Sequence, residues 1–107
     1  MAKYDSVKEQ VAAIYRSHLE KKFGDRLVFD EIHVTPRLDE WDEEYLEVRV
    51  VYDGDGDLLD PDWINGLYWQ MQPELIELGI TNFTSESYID KDEITEWTDE
   101  ERARLFK

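Results

Sequence analysis

The chain has 107 residues, the size of one domain, and its 41% apolar and 13% aromatic content is enough to build one core. It has no cysteine, which excludes disulfides and thiolate metal ligands, and no stretch of membrane-spanning length. Its net charge is −15, which opposes binding to nucleic acid or anionic membranes, because both depend on lysine and arginine. We therefore expect a cytoplasmic protein without a direct nucleic-acid or membrane partner.

The negative charge lies almost wholly in the later two-thirds of the chain. Residues 1–38 carry seven lysines and arginines against six acids, whereas residues 39–107 carry five against twenty-one, a net of −16. This imbalance favours a localised acidic surface. The alternative interpretation is that the charge only keeps a small, aromatic-rich protein in solution.

The first predicted elements are a helix and a strand. A helix is expected over residues 6–22, with Ser6 and Glu9 as a capping box and Gly24 as its terminator. A strand is expected over residues 26–36, and Pro36 should end it. Asp30 and Glu31 suggest a bulge or an edge position. Simple alternation gives two faces, one with Val28, Ile32 and Val34 and the other with Leu27, Phe29 and His33.

A second strand and a second helix follow. Residues 44–53 alternate apolar and polar side chains most regularly, and residues 37–43 should connect the two strands as a hairpin. Asp60 and Pro61 form a cap and first-turn pair that opens the second helix. Pro73 lies inside its apolar pattern, so we expect a kink or a break near residues 69–73.

The chain ends with a predicted third strand and a terminal helix. The strand is expected at about residues 80–89, anchored by Ile80, Phe83 and Ile89, and Thr98 with Glu101 forms a second capping box. The order α-β-β-α-β-α predicts one α+β domain over residues 1–107: a two-layer sandwich with a three-stranded mixed sheet and helices on one face. This order is similar in outline to ferredoxin-like and type II KH domains, but the glycine clamp of a KH domain is missing around Gly66.

A right-handed crossover through the second helix would make the second and third strands parallel. Their carboxyl ends then lie at one end of the sheet, so two acidic segments should converge there. The first segment contributes Asp53, Asp55, Asp57, Asp60 and Asp62, and the second contributes Asp90, Asp92, Glu93 and Glu96.

No recognised catalytic or cofactor motif is present, so we expect a protein that is not an enzyme and has no cofactor. The alternating acids Asp53, Asp55 and Asp57 resemble the start of a calcium loop, but Leu58 and Ile64 occupy the positions where an EF-hand needs glycine and glutamate. These three residues are therefore only weak candidates for binding a divalent cation, and a solvated turn is the preferred interpretation.

Four tryptophans are candidates for protein contacts: Trp41, Trp63, Trp69 and Trp97. Large aromatic side chains are common anchors of interfaces. For each tryptophan taken singly, packing onto the core is the favoured interpretation, but burial of all four is not expected. An exposed aromatic patch beside acidic loops would indicate a docking surface or a homodimer interface.

The sequence therefore predicts a small acidic interaction or regulatory module that binds another, basic protein. The candidate contact residues are the four tryptophans together with Asp53, Asp55, Asp57, Asp90, Asp92 and Glu93. One alternative is a DNA mimic that occupies a DNA-binding protein. The other is a weak divalent-cation-binding protein.

Overall fold

The computed structural model describes residues 4–105 of the chain. Helix α1 spans Lys8–Phe23 and follows a 3-10 turn at Asp5–Val7. The predicted capping box is wrong, because Ser6 lies inside that turn and the cap position falls at Val7, which makes no side-chain capping bond. The predicted end is confirmed: Gly24 has φ of 56° and donates its N–H to the carbonyl of Glu20.

Strand β1 spans Leu27–Leu38 and contains the expected bulge, with Asp30 as the extra residue between Phe29 and Glu31. The bulge shifts the alternation by one, so side chains on both sides of it face the helices. The predicted two faces are therefore wrong: Leu27 and Phe29 are buried in the same core against which Ile32 and Val34 pack, and Val28 is exposed.

Pro36 does not end β1, which continues for two further residues to Leu38. Strand β1 lies at the edge of the sheet, where only one side of the strand is hydrogen-bonded, and an edge strand tolerates a proline. The chain turns at residues 39–43, where Asp39 and Glu43 form a backbone hydrogen bond of 3.0 Å. Strand β2 then spans Glu44–Gly54 and pairs antiparallel with β1, so the predicted hairpin is confirmed.

Helix α2 spans Pro61–Glu77 and is capped by Asp60, whose carboxylate accepts the N–H of Asp62 at 3.0 Å. The predicted break is wrong, because one helix runs through Pro73. Pro73 has no N–H to donate to the carbonyl of Trp69, four residues earlier in the helix. Both residues are exposed, so water can donate a hydrogen bond to that carbonyl instead.

Strand β3 spans Thr84–Asp90, four residues later than predicted at its start. Ile80 precedes the strand and is buried in the core, where it anchors the loop instead. Two short helices follow, α3 at Lys91–Ile94 and α4 at Asp99–Leu105. The second capping box is confirmed, since the Thr98 hydroxyl accepts the N–H of Glu101 at 3.2 Å.

The sheet has the order β1-β2-β3, with β2 and β3 parallel as predicted. The two long helices supply the core together with the helix-facing side of the sheet, including Leu46, Val48 and Val50 of β2. Val51 and Ile94 are buried apart from that cluster, because α3 packs against β2 and β3. The architecture is the expected α+β fold in the order α-β-β-α-β-α. None of the helices within residues 4–105 combines the length and the apolar character that crossing a bilayer requires.

Candidate functional site

The acidic segments after β2 and β3 begin side by side at Tyr52. Tyr52 pairs with Asp90 across the parallel strands. Burial raises the pKa of Tyr52, and the negative charges of Asp90, Glu93, Asp55 and Asp57 raise it further. Carboxylates from both segments therefore act on the same group, as the parallel order predicts. We call this region, residues 53–57 with 90–93, the acidic end.

Several carboxylates of this region stabilise local backbone. Asp55 accepts the N–H of Asp57 at 3.0 Å, and Asp90 accepts the N–H of Asp92 at 2.9 Å. Among residues 4–105, no group of three or more histidines or acids is placed to hold a metal ion. The cation hypothesis for Asp53, Asp55 and Asp57 therefore gains no geometric support.

The four tryptophans do not form one patch. Trp41 is 77% exposed in the hairpin turn, and Trp69 is 67% exposed on α2, so the expectation that each packs onto the core is wrong for these two. Trp63 is half-buried against Phe23, with ring centroids 5.4 Å apart. Trp97 is partly exposed after α3. The hairpin turn and the acidic end lie at opposite ends of β2, so Trp41 is not beside the acidic loops.

A polar cluster on the helix-facing side of β3 is the feature that sequence reasoning missed. The Glu86 carboxylate accepts hydrogen bonds from the hydroxyls of Tyr15, at 2.9 Å, and Tyr88, at 2.8 Å. Because the Tyr15 hydroxyl already donates its proton to Glu86, it accepts a hydrogen bond from the Thr84 hydroxyl, at 2.7 Å. The two tyrosine hydroxyls therefore converge on one carboxylate.

Burial raises the pKa of Glu86, and the hydrogen bonds from Tyr88 and Tyr15 lower it in part. No cation contributes to this balance among the described residues. Burial also raises the pKa values of Tyr15 and Tyr88, and the nearby Glu86 charge adds to both. Both tyrosines therefore remain neutral donors, and Glu86 is the only acidic side chain in the cluster.

Glu86 lines a pocket between β3 and α2. The pocket measures about 240 Å³, and its lining consists of Thr84 and Glu86 from β3 with Ile64, Asn65 and Tyr68 from α2. Four of the five lining residues are neutral, and Glu86 is the one acidic residue among them. Nothing in the 80–90 segment distinguished Glu86 from the chain's many other acids. What distinguishes Glu86 is its pairing with Val48, a buried residue, which places it on the helix-facing side of the sheet. That pairing can be recognised only once the strand register is known.

Comparison with known proteins adds no homology: no protein family, curated protein or solved structure matches this chain. Functional proposals for this chain therefore depend on its own residues and their geometry.

Proposed function

We propose that this chain is a non-enzymatic interaction module that binds another protein, one with a basic surface. The observation that carries the proposal is the parallel pairing of β2 with β3, which ends at Tyr52 and Asp90 and therefore starts two acidic segments, distant in sequence, side by side. Residues 39–107 supply this charge, with a net of −16. A concentrated negative surface accelerates and selects the encounter with a positive partner.

Two cations at or near the acidic end pair with acids of β1. Lys91 pairs with Asp30 at 2.6 Å, and Arg102 pairs with Glu31. These contacts tie the C-terminal helices to β1, and they leave the carboxylates of the 53–57 loop facing solvent. A basic partner is the complementary surface for carboxylates in this arrangement.

The test is capture of proteins from the native host at low salt by two matched variants. The first variant neutralises the acidic end through D53N, D57N, D92N and E93Q, none of which removes a side-chain cap. The second variant removes the same charge elsewhere through E9Q, D25N, E40Q and E77Q, all at exposed positions. Both variants have the same net charge, so a difference between them reports the location of the charge.

We expect the wild type and the second variant to retain one basic protein in a salt-sensitive manner, and the first variant to lose it. Equal retention by both variants, or no retained basic protein, would contradict the proposal. If DNA displaces the captured protein from the wild type, the DNA-mimic alternative is supported instead.

A further inference from the structure

Three features meet along the outer side of β3. The first is a strand edge: within residues 4–105, β3 pairs with β2 on one side and no strand lies along the other. The second is the pocket that holds Glu86. The third is an exposed aromatic side chain of α2: Trp69 is 67% exposed, and its ring centroid lies 5.3 Å from that of Tyr68, a residue of the pocket lining.

The strand edge has the geometry needed to accept another strand. The pairing of β3 with β2 is regular over all seven residues, from Thr84 to Asp90, with no bulge. A strand edge presents a row of backbone N–H and C=O groups that an added segment can use. Such a segment alternates its side chains, so every second one would point toward the helices and hence toward the pocket.

The pocket selects what can enter it. Each oxygen of the Glu86 carboxylate accepts one tyrosine hydroxyl, which leaves further acceptor capacity on both. Ile64 and Tyr68 offer apolar and aromatic surface to the stem of a long side chain, and Asn65 offers an amide oxygen. A lysine or arginine matches this combination, because its stem is apolar and its end is a cationic donor.

We propose that the β3 edge binds an extended segment of the partner by strand addition, with one lysine or arginine side chain of that segment entering the pocket to pair with Glu86. This inference rests on the proposed function, since it supplies the binding mode of a basic partner. Trp69, whose ring contacts that of the pocket residue Tyr68, would cover an apolar side chain of the same segment.

A second copy of this chain is a poorer occupant. Joining two β3 edges would place two Glu86 carboxylates on the same side of one continuous sheet. Each chain also carries a net charge of −15, so the two surfaces repel. Charge complementarity therefore favours a cationic segment from a different protein.

The experiment selects peptides from a randomised phage-displayed library against the full chain, with inserts long enough to span the seven residues of β3. We expect the selected peptides to share one lysine or arginine with apolar residues two positions away on either side. Synthetic versions, followed by fluorescence anisotropy, should bind E86Q about tenfold or more weakly than the wild type. The control E77Q removes the same charge from an exposed position on α2 and should change affinity by less than about twofold.

Amide hydrogen exchange measures strand addition directly. We expect the selected peptide to protect alternate amides of β3 that exchange freely in the unbound chain. The proposal is overturned if no peptide is selected, if the peptides lack a shared cation, if E86Q and E77Q bind alike, or if β3 amides gain no protection. A dimer whose β3 amides are already protected without peptide would also overturn it, in favour of a second copy.

The two proposals fail separately. If E86Q binds the host protein normally while the variant neutralised at the acidic end loses it, the proposed function holds and the binding mode is wrong. If E86Q loses the host protein while the variant neutralised at the acidic end retains it, the binding mode holds and the acidic end is not the main contact.

Discussion

The two edges of the sheet are built differently. Strand β1 carries a bulge at Asp30 and a proline at position 36, and its acids pair with Lys91 and Arg102 of the C-terminal helices. Strand β3 has a regular register and no proline, and its helix-facing side carries the partly buried Glu86. Bulges, prolines and covering contacts prevent a strand from pairing with other chains. Strand β1 therefore has several such obstacles along its length, whereas the one obstacle along β3 is the inward-facing Glu86.

That one obstacle is chemical in nature. An inward-facing charge on an edge strand also discourages unwanted pairing, because an incoming strand would cover the charge without neutralising it. A segment that brings its own positive charge removes this penalty. The β1 edge is thus blocked by its shape, whereas the β3 edge is selective by charge.

The largest effect is expected from Y15F, which tests whether the polar cluster holds the inner side of β3. Tyr15 is fully buried, and its hydroxyl links α1 to both Thr84 and Glu86. Loss of the hydroxyl leaves both partners short of one hydrogen bond, which should lower the free energy of unfolding by about 1–3 kcal/mol. The control Y88F should cost less, because that hydroxyl contacts Glu86 alone. Urea unfolding measures both, and equal losses would show that the link to α1 adds nothing.

The next effect concerns E86Q and pH. The pKa of Glu86 is raised above 4.5, chiefly by burial. Between the ordinary and the raised value, the folded chain holds a proton that the unfolded chain has lost, so the contribution of Glu86 to stability declines as pH rises through that window. We therefore expect E86Q to be more stable than the wild type at neutral pH and to lose this advantage below about pH 4. Thermal unfolding of both proteins across this range checks it. A difference that stays constant with pH would contradict the assignment.

The smallest effect is expected at the β1 edge. R102A removes a partly exposed ion pair between α4 and Glu31, which should cost about 0.2–1 kcal/mol and less at high salt. R104A is the matched control, because its pair with Glu100 lies within α4 and is more exposed. If R104A costs as much as R102A in denaturant unfolding, the contact across to β1 does not contribute to covering that edge.

Much of the fold could be predicted from local pattern. The second strand, the start of α2 at Asp60 and the second capping box at Thr98 depend on neighbouring residues and are as expected. The errors arise where distant contacts override local preference. Tyr4 is buried, and its N–H donates to Glu44, 40 positions away. Next to this tertiary contact, α1 begins at Lys8 and not at the residue that the capping signal predicted.

The candidate site divides in the same way. Convergence of the acidic segments followed from the parallel order of β2 and β3, which topology rules predict. The role of Glu86 did not follow, because it needs the register that places Glu86 beside Val48 and within reach of Tyr15, 71 positions away. In a chain with 27 acids, composition offered no means of separating this carboxylate from the others.

Because of the bulge at Asp30, the number of residues in β1 decides which of its side chains reach the core, as much as their identity does. The Asp30 side chain makes one partly exposed ion pair, with Lys91, so substitutions there should cost little stability. Deleting the residue would instead restore strict alternation and turn Leu27 and Phe29 away from the helices, exposing two core side chains at once. Related sequences are therefore expected to change the residue type at position 30 more readily than the spacing between Phe29 and Ile32.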